Sequence, residues 1–179
     1  LYLVSHSHGD HGLDDAIELS KSRGGQVVGI FELANHASEK GAKATGANIG
    51  GMFELEGVKI ALTQAIHSSA LGAPVGFVVR VGDLTVYHAG DTGIFAGMKL
   101  IGELYKPSLV MLPIGGFYTM DPLQAAKAVE LLGAEKVLPM HWGTFPVLKG
   151  TPNELREKMN TLGIKAEIIE LEPGGKEEI

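Results

Sequence analysis

Three histidines and an aspartate are crowded into Ser5-His6-Ser7-His8-Gly9-Asp10-His11, between a short apolar run, Leu1-Tyr2-Leu3-Val4, and a helical pattern. No other stretch restricts the fold as much. His and Asp are seldom fully buried without partners, and like charges this close repel when ionised. A divalent cation removes both difficulties, because it binds neutral imidazole and ionised carboxylate. A purification tag would have contiguous histidines and no aspartate. The fold must therefore bring further ligands to this loop.

The rest of the chain reads as alternating elements. Leu1–Ser5 is a continuous apolar run of the buried-strand type. Leu13–Ser22 has apolar residues at Leu13, Ala16, Ile17 and Leu19, a helical spacing closed by Gly24-Gly25. Gln26–Phe31 reads as a strand parallel to the first, Glu32–Lys40 as a short helix and Lys43–Ala47 as a short strand. Phe53-Glu54-Leu55 and Val58–Ala65 are strands around Gly57, and Val75–Val81 and Leu84–His88 form a hairpin across Gly82-Asp83. Ile94–Tyr105 is expected to be a helix stopped before Pro107, and Ser108–Pro113 a buried strand. Asp121-Pro122-Leu123-Gln124 opens a helix, with Gln124 placed to reach back to the cap, and that helix runs to Leu132. Lys136–Met140 is a strand. Thr151-Pro152-Asn153-Glu154 opens a helix ending at Gly163, and Ala166–Leu171 is the last strand. The tail Lys176–Ile179 reads as a solvated end. This mixed order predicts two sheets between helix layers in a single domain over 1–179.

His67, Asp91 and His141 each follow an expected strand, beside glycine or small residues. Strand ends are where open α/β sheets place ligand-binding groups. Each has a plainer reading: a loop histidine, a turn-former in Gly-Asp-Thr-Gly, and a ring stacked on Trp142. Their shared placement favours metal ligation. With His6, His8, Asp10 and His11 they make seven donors, more than one tetrahedral ion needs. They suit two ions roughly 3.5–4 Å apart. His36, on an expected helix, and His88, placed to orient a ligand through a hydrogen bond, are kept out of the ligand set.

Composition narrows the chemistry. The chain of 179 residues contains no cysteine, so the donors are nitrogen and oxygen, and disulfides are excluded. That fits a cytoplasmic protein. No apolar run is long enough to span a membrane. Net charge is −6 and the basic residues are scattered, which argues against nucleic acid as the main partner.

The pattern His6-x-His8-x-Asp10-His11, followed by His67, Asp91 and His141, resembles the metallo-β-lactamase superfamily along nearly the whole chain. Tyr87–Gly93, Leu112–Gly116 and Pro139–Thr144 resemble the UPF0173 group of metal-dependent hydrolases, itself similar to L-ascorbate-6-phosphate lactonase. The resemblance implies an α/β fold, a four-layer αββα sandwich with metals at one edge between the sheets. Members of the family have further strands before the histidine motif, and these are missing from this chain. An N-terminally incomplete domain, with an unpaired edge or uncovered face, is therefore expected.

The resemblance also implies that His6, His8 and His67 hold one ion, that Asp10, His11 and His141 hold a second, and that Asp91 bridges them. Asp10 is the implied catalytic residue, orienting the nucleophile or moving a proton. Zn²⁺ and Mn²⁺ both suit these donors. Loops Ser68–Pro74, Gly115–Met120 and Trp142–Pro146 are expected to wall the pocket. The implied activity is hydrolysis of a small ester, lactone or phosphoester, with an anionic substrate among the options. The alternatives are a metallo-phosphodiesterase or nuclease, and a non-enzymatic metal-binding scaffold. A homo-oligomer is left open.

Overall fold

The computed structural model describes residues 1–172 and 174–178. Its N-terminal quarter winds β1 (Tyr2–Leu3), α1 (Leu13–Arg23), β2 (Val27–Ile30), α2 (Phe31–Glu39) and β3 (Ala44–Ala47) into a parallel sheet of order β1-β2-β3. Tyr2 pairs with Val27 and Val27 with Ala44. The helices supply the crossovers that parallel strands require. The expected parallel pair is thus present. β1 is shorter than Leu1–Ser5, because after the Val4 amide bonds the Val28 carbonyl at 2.9 Å the chain turns into the histidine loop.

The second sheet has seven strands: β4 (Phe53–Leu55), β5 (Val58–Gln64), β6 (Val75–Val81), β7 (Leu84–His88), β8 (Leu109–Pro113), β9 (Lys136–Met140) and β10 (Glu167–Ile168). Their order is β10-β9-β8-β7-β6-β5-β4. β4 to β7 pair antiparallel and β7 to β10 parallel. Hence β5, β7, β8 and β9 all point one way, and their C-terminal ends share one edge of the sheet.

Alternation along these strands builds two apolar layers. Ala61, Val78, Tyr87, Val110, Leu112 and Val137 pack against α3 (Met98–Tyr105), α4 (Pro122–Leu132) and α5 (Pro152–Leu162) through Met98, Ile101, Ala125, Val129, Leu155 and Met159. Ile60, Leu62, Val75 and Phe77 pack toward the small sheet and its helices through Val27, Ile30, Leu33 and Ala37. This is the expected αββα sandwich. The small sheet ends at β1. Phe77, His88, Met111 and Leu138 are successive register partners on the face toward it; Phe77 is buried, and the other three are half-buried.

Three expectations need correction. α3 starts at Met98, not Ile94, because the Gly93 amide bonds the Ile66 carbonyl at 3.0 Å and holds that segment beside the strand ends. β10 covers only Glu167–Ile168 of the expected 166–171; pairing stops after the Ile169 amide bonds the Val137 carbonyl. At the start of α4, Asp121 accepts from the Gln124 amide as expected, but it is α5 that has the full reciprocal box, between Thr151 and Glu154. In the tail, residues 174–178 are exposed, and Ile179 lies outside the described residues. Among the described residues no helix is long and apolar enough to cross a membrane.

Thr151 caps α5 with its hydroxyl and Glu154 returns the bond. Thr151→Ala should lower stability by about 1 kcal/mol, read as a lower urea midpoint with an unchanged slope. An unchanged midpoint would show that the cap contributes nothing here.

Candidate metal centre

The shared sheet edge collects the predicted donors. His67 follows β5, Asp91 follows β7, and His141 follows β9. The loop after β1 delivers His6 and His8, and a single 3-10 turn, Gly9–His11, delivers Asp10 and His11. Ring centroids of His6 lie 4.6 Å from His8, 4.1 Å from His11 and 5.1 Å from His67. His141 lies nearly parallel to His11, 5.6 Å away. All seven predicted residues therefore meet. His141 stacks beside His11, while Trp142 packs toward the α4–α5 core.

Three groups have donor atoms close enough together to hold an ion: His6, His8 and His67; His6, His11 and Asp91; and Asp10, His11 and His141. One atom links them. Asp91 Oδ2 lies 3.3 Å from His11 Nε2, 3.5 Å from His67 Nε2 and 3.2 Å from His141 Nε2. Asp10 Oδ2 is 3.7 Å from His11 Nε2 and 3.9 Å from His141 Nε2. Asp91 is only 3% exposed, yet its Oδ1 has no hydrogen-bond partner among the described residues. The buried Nε2 of His11, which faces Asp91 Oδ2, likewise has no hydrogen-bond partner among the described residues. Buried polar atoms are normally satisfied. Unpaired nitrogen and oxygen donors aimed at common points fit divalent cations.

The electrostatics agree. Burial, aided by the nearby His11, pushes His6 down to about 4, so its ring is neutral at pH 7 and offers a lone pair. Burial also lowers His67. Burial disfavours charge on His11 as well, but the Asp91 carboxylate, helped by Asp10, outweighs it and raises His11. Asp91 is the mirror case: burial works to raise it, and His11 and His141 hold it below its usual value. Without metal, a proton on His11 thus partly compensates the buried carboxylate.

A set of supporting residues holds the donors, and sequence reasoning missed most of it. Ser5 Oγ bonds His6 Nδ1 at 3.0 Å, leaving Nε2 to face the centre. Ser7 Oγ accepts from the Ala70 and Leu71 amides at 3.0 and 3.1 Å, pinning the loop after His67. Thr92 Oγ1 accepts from the Ile66 amide at 2.9 Å, and the Met120 amide donates to the Thr92 carbonyl at 3.0 Å. His88 accepts from the Gly90 amide at 3.1 Å, so it orients the turn into Asp91, as expected of a residue outside the ligand set. His36 sits half-buried on α2.

Two backbone sites are strained or close. His141 has φ +52°, a left-handed conformation that non-glycine residues seldom adopt. Its carbonyl oxygen lies where a Cβ on residue 115 would have to go, so only glycine fits at 115. The Gly115-Gly116 pair was the sequence signal for this contact.

A cleft of about 500 Å³ opens over the donors. Ser68, Tyr118 and Phe145–Val147 form its walls, so each of the three expected loops contributes.

Comparison with known proteins agrees with this geometry. Residues 2–142 match the family described as the beta-lactamase superfamily domain. A UPF0173 metal-dependent hydrolase of Korarchaeum cryptofilum is 61% identical over all of this chain and 81% of its own length. Another, from Thermofilum pendens, is 48% identical over 96% of this chain and 74% of its own length. Igni18, a metallo hydrolase from Ignicoccus hospitalis, superposes with a TM-score of 0.90 at 44% identity, covering 97% of this chain and 76% of that one.

Two measurements check the centre. Gly115→Ala should displace His141 and weaken metal binding by roughly 10–100-fold, the range seen when a ligand's support is lost; titration with Zn²⁺ against a chromophoric chelator reads it. Unchanged affinity would mean that the close approach is not needed. In metal-stripped protein, unfolded histidines take up protons below about pH 6.5, whereas buried His6 does so only near pH 4. His67 and His88 are also lowered by burial. The unfolded state therefore binds more protons across this window, and stability should fall from pH 6.5 toward 4. His11, being raised, opposes this only in part. The urea midpoint of stripped protein should be lower at pH 5 than at pH 7; equal midpoints would contradict the burial argument.

Proposed function

The chain belongs to the beta-lactamase superfamily and, within it, to the UPF0173 metal-dependent hydrolases, and from this premise we propose that it uses two divalent cations, Zn²⁺ or Mn²⁺, to hydrolyse a small ester, lactone or phosphoester. The observation that carries the dinuclear reading is the position of Asp91 Oδ2, within 3.5 Å of donors in both outer groups. His6, His8 and His67 would hold one ion, Asp10, His11 and His141 the other, and Asp91 would bridge. Bound there, paired divalent cations make hydroxide available from water near neutral pH and polarise the bond under attack.

The protein's own groups do the rest. Ser5 fixes which nitrogen of His6 faces inward. Asp91 contributes negative charge in a buried position, where it binds cations most strongly. The Asp10 side chain is 43% exposed and lines the cleft, so it can reach substrate. Asp10 takes a proton from the attacking water and passes it to the leaving oxygen. Water's oxygen joins the acyl carbon or the phosphorus, the bond to the leaving oxygen breaks, and one water is consumed per turnover.

Among the described residues neither Lys nor Arg lines the cleft. This favours a small substrate over nucleic acid, whose phosphates call for basic contacts. The cleft also disfavours a purely structural centre, since structural sites are closed by protein ligands.

Asp91→Ala should reduce bound metal below the two equivalents expected for the intact protein and lower ester hydrolysis by on the order of a hundredfold or more. Elemental analysis after dialysis and an initial-rate assay test this together. Two equivalents retained with full activity would rule out the dinuclear mechanism.

A further inference from the structure

The cleft has an uneven lining. Its charged members, Asp10 and Asp91, are both acidic and both belong to the metal-binding floor. Beyond that floor, the rest of the lining is Ser68, Tyr118 and Phe145-Pro146-Val147. Recognition of a phosphate or carboxylate remote from the reacting bond needs a guanidinium, an ammonium or converging amides. Among the described residues the lining has no lysine or arginine. It has instead exposed apolar surface: Tyr118 is 53% exposed, Phe145 44% and Val147 38%, with Phe117, 76% exposed, beside Tyr118. Scattered apolar residues on a surface are ordinary, but a cluster around a concave site with few polar groups is a mark of ligand binding.

These side chains are held in place. The Gly116 amide bonds the Met120 carbonyl at 2.9 Å, closing the loop that carries Phe117 and Tyr118, and the Met120 amide ties it to Thr92, next to Asp91. Phe117 has φ +61°, costly for a bulky residue. Its ring meets Tyr118 edge-on, with centroids 4.7 Å apart, and buttresses it at the cleft. In the segment that carries Phe145–Val147, the Leu148 amide bonds the Phe145 carbonyl at 3.0 Å, and the Gly150 amide bonds the Gly115 carbonyl at 3.2 Å. Both walls are thus anchored to the loops that position Asp91 and His141. A bound chain would meet a preformed slot.

Building on the hydrolase reading above, we propose that the substrate is a neutral ester or lactone with an apolar acyl or ring portion seated between Tyr118 and Phe145–Val147, and that substrates bearing a second, anionic group are discriminated against. The metal-binding floor takes the one polar bond that reacts, and the walls take hydrocarbon. An anionic tail would lose its hydration against Phe145 and Val147, where no lysine or arginine among the described residues lines the cleft to replace it.

The test uses the full chain loaded with Zn²⁺ or Mn²⁺ and a matched series: 4-nitrophenyl acetate, butyrate and hexanoate, with 4-nitrophenyl hemisuccinate as the charged counterpart. Each buried methylene is worth roughly a three- to fourfold preference, so kcat/KM should rise about tenfold from acetate to butyrate. The hemisuccinate should fall at or below the acetate. Phe145→Ala combined with Val147→Ala should flatten the chain-length dependence, and Val147→Lys should move selectivity toward the hemisuccinate. Binding of the uncleavable ether 1-butoxy-4-nitrobenzene, followed by calorimetry, gives a readout independent of turnover; it should weaken about tenfold or more in the double alanine variant. Hydrolysis with a flat chain-length profile, or with the hemisuccinate preferred, would overturn this inference and leave the hydrolase reading intact. Ether binding that depends on Phe145 and Val147, with no ester or lactone cleaved, would overturn the hydrolase reading and leave the apolar slot standing. Absence of both binding and hydrolysis would defeat both.

Discussion

A carboxylate almost wholly removed from water, with imidazoles on several sides, is the constraint to which the rest of the structure answers. Asp91 has nitrogens of His11, His67 and His141 within 3.5 Å of one oxygen, and its other oxygen is unpaired. Burial alone would drive such a group to protonate. It stays ionised because His11 and His141 oppose that, and the cost of this arrangement is a raised His11. A proton is a poor occupant of a place with so many donors. Cations of higher charge satisfy the same atoms better, and their binding displaces the proton that Asp91 favours on His11.

Strand direction explains how such distant residues meet. β5, β7, β8 and β9 are aligned, so residues just beyond their C-terminal ends share one rim although they span positions 65 to 148. The small parallel sheet brings its own loop, Val4–His8, to the same rim. The Ser5 carbonyl accepts from the Val75 amide at 2.9 Å and joins the two sheets there. The loops then brace one another through backbone groups. Ser7 holds the loop after His67, Thr92 links the ends of β5 and β7, and Gly115 makes room for the carbonyl of His141. Little is left free to adjust when an ion arrives, which is the condition for a well-defined coordination geometry.

The residues legible in the sequence and those that were not differ in kind. The seven donors could be read because imidazole and carboxylate side chains past apolar runs are chemically unusual wherever they stand. The elements could be read because β-strand alternation and the Thr151-Pro152-Asn153-Glu154 cap are local. Ser5, Ser7 and Thr92 gave no signal: their partners are backbone amides or a ring that only the folded chain supplies, and serine and threonine are common in loops. The start of α3 was misplaced for the same reason, since a bond between Gly93 and Ile66 overrides the local helical pattern.

The floor and walls of the cleft act through each other. On the proposed reading, two divalent cations face two carboxylates, Asp10 and Asp91, so the floor keeps net positive charge and draws the oxygen on which negative charge develops. Hydrocarbon from Tyr118, Phe145 and Val147 displaces water around that floor when a substrate seats, and an electrostatic interaction strengthens as local polarity falls. The apolar walls would therefore do more than choose a substrate; they would raise the effect of charges already in place. The donors fix what kind of bond can be broken, whereas the walls, carried on the loops after β8 and β9, of which only the second bears a donor, His141, fix whose bond it is. The second can change by a few substitutions at positions 118 and 145–147 while the first is held by the whole sheet edge, so within one fold the metal chemistry is expected to persist as substrate preference varies.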